Sequence, residues 1–133
     1  MIHFIGNNKL NWENKYDGWA NMDQVVHYLE QCDVIAVDTE TEGMDFTCKK
    51  MIMLQIGNDK HQWVIDVRCT NIRPLKNILE NEKILKILQN AKFDYKFIKE
   101  WGIDLVNVYD TYLVERILNC GRKGKKYGLD ALV

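Results

Sequence analysis

The spacing of apolar and polar residues divides this chain into two halves. In the first half the pattern is that of strands. Four apolar residues from Val34 to Val37 run directly into polar ones, as a buried strand over 34–38 would. Residues 51–56 are apolar except at Gln55 and end at Gly57-Asn58-Asp59. Residues 62–67 follow this polar turn, so the two segments predict a β-hairpin. Strands at 34–38, 51–56 and 62–67 then form a three-stranded meander. Ahead of them, 2–5 predicts a short first strand. Val25, Val26 and Leu29 predict an amphipathic helix over 23–31.

After Pro74 the spacing becomes helical. Leu75, Ile78 and Leu79 suit a short helix with Pro74 in its first turn. Residues 84–88 predict a strand, and 91–101 a helix with Phe93, Phe97, Ile98 and Trp101 on one side and Gly102 as its stop. A short strand is expected at 105–108. Asp110 then opens a helix whose buried stripe would be Leu113, Val114, Ile117 and Leu118. A meander followed by β-α-β-α predicts an α/β fold, a mixed sheet flanked by helices. The 133 residues suit a single domain, 1–133, with 1–32 as a lead-in strand and helix.

Composition changes this picture little. The apolar fraction of 47% and charged fraction of 28% are those of a soluble globular protein. A net charge of −1 argues against a generally basic coat for nucleic acid, while leaving room for a local basic groove. The one dense basic run is Gly121-Arg122-Lys123-Gly124-Lys125-Lys126, read as a solvated loop or as a phosphate contact. Cys32, Cys48, Cys69 and Cys120 form no C-x-x-C pair, and His3, His27 and His61 are scattered, so no zinc site is indicated. No apolar run approaches the roughly 20 residues of a membrane span, and no secretory signal pattern opens the chain. A cytoplasmic protein without membrane contact is expected.

The candidate chemistry lies where strands end. Asp38 and Glu40 are two residues apart on one strand, so both carboxylates point the same way. Two acids aimed together from a strand end suit a hard divalent cation such as Mg²⁺ or Mn²⁺. Asn90 and Asp94 sit at the next strand-to-helix junction, and Asp110 repeats the arrangement at the one after. For Asp110, helix capping competes with a direct chemical role.

In combination these segments resemble the DEDD-type 3′–5′ exonucleases of the ribonuclease H-like fold. They are closest to the proofreading domain of DNA polymerase I-type enzymes, phage versions included. The resemblance rests on Asp38-Thr39-Glu40-Thr41-Glu42-Gly43-Met44-Asp45, on Asn90-Ala91-Lys92-Phe93-Asp94 and on Tyr109-Asp110-Thr111, and covers about residues 33 to 133. It implies hydrolysis of single-stranded or frayed 3′ DNA ends with two divalent metal ions, Mg²⁺ or Mn²⁺. Asp38, Glu40 and Asp94 would be the catalytic metal ligands. Thr41, Met44 and Asn90 would contact the substrate strand, and a polymerase domain or subunit would be a partner. RNA trimming of the ribonuclease D type is the near alternative. A non-catalytic module binding single strands or a polymerase is the distant one.

One family motif has no match. A Tyr-x-x-x-Asp is expected on a later helix, but Tyr127 has Asp130 only three residues on, and Tyr112 has Arg116 at the required offset. The apolar ending at 129–133 is expected to open that helix. The chain is therefore expected to be truncated before the last catalytic helix and impaired as an isolated enzyme.

Overall fold

The computed structural model describes residues 1–7, 18–120, 124 and 126–129. Its strands are β1 (Ile2–Ile5), β2 (Gly18–Trp19), β3 (Val34–Thr41), β4 (Met51–Gly57), β5 (Gln62–Asp66), β6 (Leu85–Leu88) and β7 (Val108–Asp110). Its helices are α1 (Met22–Leu29), α2 (Lys76–Leu79, entered through a 3-10 turn at Arg73–Leu75), α3 (Ala91–Lys99) and α4 (Thr111–Leu118). The strands form one sheet in the order β2-β1-β5-β4-β3-β6-β7. Only β4 runs against its neighbours; the other contacts are parallel. The meander β3-β4-β5 and the β-α-β-α half are thus as expected. The expected first strand is present as β1, and the short β2 beside it is an addition.

Local chemistry fixes several of these elements. Asn21 caps α1 reciprocally with Gln24, which sets the helix start one residue before the expected one. The β4–β5 turn closes because the Asn58 side chain accepts from the Lys60 and His61 amides, both at 3.0 Å. A Cβ at Gly57 would lie 2.2 Å from the His61 carbonyl oxygen, so only glycine allows the two strands to leave this turn. Gly102, with φ of +73°, takes the left-handed conformation just beyond α3 and donates to the Lys99 carbonyl.

Burial alternates strictly along β3. Ile35, Val37 and Thr39 face the core, while Val34, Ala36, Asp38 and Glu40 face the other way and are exposed. The core side is packed with Val25 and Leu29 of α1, Ile78 and Leu79 of α2, and Phe97 and Ile98 of α3. On the opposite side, an open groove of about 500 Å³ runs over Val34, Ala36, Asp38, Gln55, Val64 and Ile87.

Two expectations need correction. The last strand is Val108–Asp110, not 105–108, because its register is set by parallel pairing with β6, Lys86 opposite Val108 and Leu88 opposite Asp110. The expected buried stripe of α4 is not buried. Leu113 is 53% exposed and Ile117 and Leu118 are each 74% exposed, because nothing among the described residues packs on that face.

Candidate active site

Because β3, β6 and β7 are parallel, their carboxyl ends share one edge of the sheet. That places Asp38 and Glu40, the β6–α3 junction and Asp110 along one line, where open α/β sheets commonly carry their sites. The β6 ladder pairs β3 only as far as Ala36. The strand runs on alone on that side, and Asp94 of α3 reaches in to serve it. Asp94 Oδ1 accepts from the Thr39 amide at 3.1 Å and from the Thr39 hydroxyl at 2.6 Å. The buried carboxylate thus docks onto the residue that lies between Asp38 and Glu40.

The electrostatics follow from this docking. Burial pushes the Asp94 carboxyl up to about 6, the Thr39 hydroxyl pulls it down, and the charge of Asp38 adds to the rise. Partial burial also raises Asp38, against a bond from the Thr39 backbone. Two neighbouring carboxyls that resist ionisation suit a site completed by a cation, and oxygen donors suit a hard one. Asp38, Glu40 and Asp94 fit such an ion by charge and donor type. Among the described residues, however, no three acids, histidines or cysteines are grouped closely enough to hold a metal. Asp94 is drawn onto Thr39, while Asp38 and Glu40 project from the open face.

The remaining candidates separate clearly. The Thr41 hydroxyl donates to the Gly43 carbonyl at 2.8 Å and shapes the loop after β3. Met44 is 82% exposed on that loop and is no core residue. Asn90 has φ of +60° and forms no side-chain cap on α3. Asp110 is buried and caps instead. Its Oδ1 accepts from the amides of Asn90, Tyr112 and Leu113, and its Oδ2 from that of Ala91. Tyr127 lies edge-on to Tyr112, and its carbonyl accepts from Gln89. Asp130 and most of the basic run at 121–126 lie outside the described residues.

Sequence reasoning missed two supporting features. Lys96 sits 4.8 Å over the Phe46 ring and ties the loop after β3 to α3. Asp66, buried at the end of β5, holds the Arg68 guanidinium through two bonds of 2.8 and 2.7 Å, which keep its carboxyl below the ordinary range. An Asp-x-Arg at a strand end is the signal that would have revealed the second.

A family model described as 3′-5′ exonuclease matches residues 17–133. The chain belongs to this 3′–5′ exonuclease family. The chain is 27% identical to DNA polymerase I of Aquifex aeolicus over 106 residues, 79% of its own length and 17% of the relative's. It is 28% identical to ribonuclease D of Haemophilus influenzae over 100 residues, 74% of its own length and 25% of the relative's. Among solved structures, Brucella melitensis NrnC with bound Mg²⁺ superposes with a TM-score of 0.68 at 20% identity, covering 96% of this chain and 56% of that one. The chain thus spans well under two thirds of these relatives. Its mixed sheet is ribonuclease H-like. No described helix is long and apolar enough to cross a membrane.

Proposed function

We propose that this exonuclease domain removes nucleotides from single-stranded or frayed 3′ DNA ends, using Asp38, Glu40 and Asp94 to hold divalent metal, Mg²⁺ or Mn²⁺, two ions in the working complex. The observation that carries this reading is the docking of buried Asp94 onto Thr39, the residue between Asp38 and Glu40, at the carboxyl edge of the sheet. When bound, the metal supplies an activated water and stabilises charge at phosphorus. The chain's own residues do the rest. Asp38 and Glu40 present oxygens on the open face, and Thr39 orients Asp94 through two hydrogen bonds. Exposed Met44, on the loop after β3, and Asn90, at the turn entering α3, are assigned as contacts for the last base and its strand.

DNA as substrate, and a polymerase domain or subunit as partner, are supported by the likeness to DNA polymerase I, of which this chain would form a small part. A cytoplasmic setting fits four free cysteines. A second reading, RNA 3′ trimming, is supported by the comparable likeness to ribonuclease D.

The test is hydrolysis of 5′-labelled DNA and RNA single strands of one sequence, in Mn²⁺, with protein in excess and Asp38→Ala beside it. The reading expects slow shortening of the DNA from its 3′ end, absent in the variant. Faster RNA shortening selects the second reading. Shortening that survives in Asp38→Ala refutes both.

A further inference from the structure

Helix α3 carries Asp94 on its first turn, yet its own cap residue does not cap it: the Asn90 side chain makes no such bond. Capping comes from Asp110, about twenty residues later and one strand away. Asp110 is only 8% exposed, and both of its oxygens are used. Oδ2 accepts from the Ala91 amide at 2.9 Å, and Oδ1 from the Asn90 amide at 3.0 Å, which serves the left-handed turn entering α3. The same Oδ1 caps its own helix, α4, through the Tyr112 and Leu113 amides at 2.9 and 3.3 Å. One carboxylate therefore ties together two strand-to-helix junctions.

The bonds continue to the site. The turn held by Asp110 sets where α3 begins, and four residues into that helix Asp94 reaches Thr39 between the two outward acids. A carboxylate at a helix N-terminus also offsets the partial positive charge there, favouring one fixed start for the helix. We propose that Asp110 is a positioning residue for Asp94: it touches neither metal nor substrate, and it sets the register in which α3 presents Asp94 to Thr39. This rests on Asp94 being part of the metal site, but the link from Asp110 to Thr39 stands on geometry alone.

Asp110→Asn removes the one bond that Oδ2 accepts from the α3 N-terminus. Its amide oxygen still accepts from Asn90, Tyr112 and Leu113, while its NH₂ group faces the Ala91 N–H, donor against donor. Amide NMR well below the melting temperature reads the consequence at Thr39, with Asn21→Ala as a control that removes the remote α1 cap. The proposal expects the Thr39 amide signal to move in Asp110→Asn and not in the control. It also expects Mn²⁺ affinity to fall about tenfold or more, as for other groups that orient metal ligands. A lower melting temperature with the Thr39 signal and Mn²⁺ affinity unchanged would reduce Asp110 to a plain cap and overturn the proposal. So would loss of Mn²⁺ binding with an unmoved Thr39 signal, the mark of a direct ligand.

Amide exchange in the unaltered chain needs no variant. Ala91 and Thr39 are expected to open in one event with equal protection, and independent opening overturns the proposal. If the unaltered chain ignores Mn²⁺, the proposed function fails, and the Thr39 signal still decides the role of Asp110.

Discussion

Asp94→Asn should make the metal-free protein more stable at neutral pH, and the gain should vanish in acid. The carboxyl is buried, and burial is the main reason its pKa rises from 3.8 to about 6. A group raised in the folded state contributes stability that is complete below its unfolded pKa and lost as pH climbs through the folded one. The ionised side chain therefore burdens the fold above pH 6, by at most about 3 kcal/mol for a shift of this size. Asparagine carries no such burden. Its Oδ1 can still accept from the Thr39 amide and hydroxyl, so the docking of α3 on β3 survives. Urea unfolding in EDTA, followed by tryptophan fluorescence from buried Trp63, measures the difference. The variant should match the parent near pH 4 and exceed it by about 1–3 kcal/mol at pH 8. Equal stability at both pH values, or a variant weaker at pH 8, would refute the claim that Asp94 is held in a site unfavourable to its charge.

Other perturbations read other parts of the structure. Lys86 is fully buried and donates to the carbonyls of Asn81, Ile84 and Ile78 below α2, so Lys86→Met should lower unfolding free energy by about 2–3 kcal/mol in urea titrations. Met44 packs on nothing in the core; Met44→Ala should leave the melting temperature unchanged and raise KM for a single strand several-fold. The exposed face of α4 should bind a hydrophobic dye, and Leu113→Gln with Ile117→Gln should lower that fluorescence without loss of stability, as differential scanning fluorimetry can check.

Where the candidate site residues lie in the fold was largely legible because strand chemistry is local. Alternation alone puts Asp38 and Glu40 on one face, and the strand-to-helix junction at Asn90 follows from the change of period. What escaped was decided by distant partners. The α4 stripe has the right spacing, but spacing reports amphipathicity and not whether anything covers it. The start of β7 is set by its pairing with β6, which no local residue announces. The burial of Lys86 within its strand follows only from the Asn81 and Ile84 carbonyls that fold back to its ammonium group. Asp110 could be a cap or a ligand from its own neighbours, and only the Asn90 and Ala91 amides, folded back from another junction, show it capping two helices.

The central claim is that Asp38, Glu40 and Asp94 form a metal site. Titration of Mn²⁺ into this chain, read by electron paramagnetic resonance beside Asp38→Ala and Asp94→Asn, tests it without relying on turnover. The account predicts saturable binding of at least one ion by the parent, and loss or marked weakening in both variants. Binding that is absent from the parent, or unchanged in the variants, would contradict it.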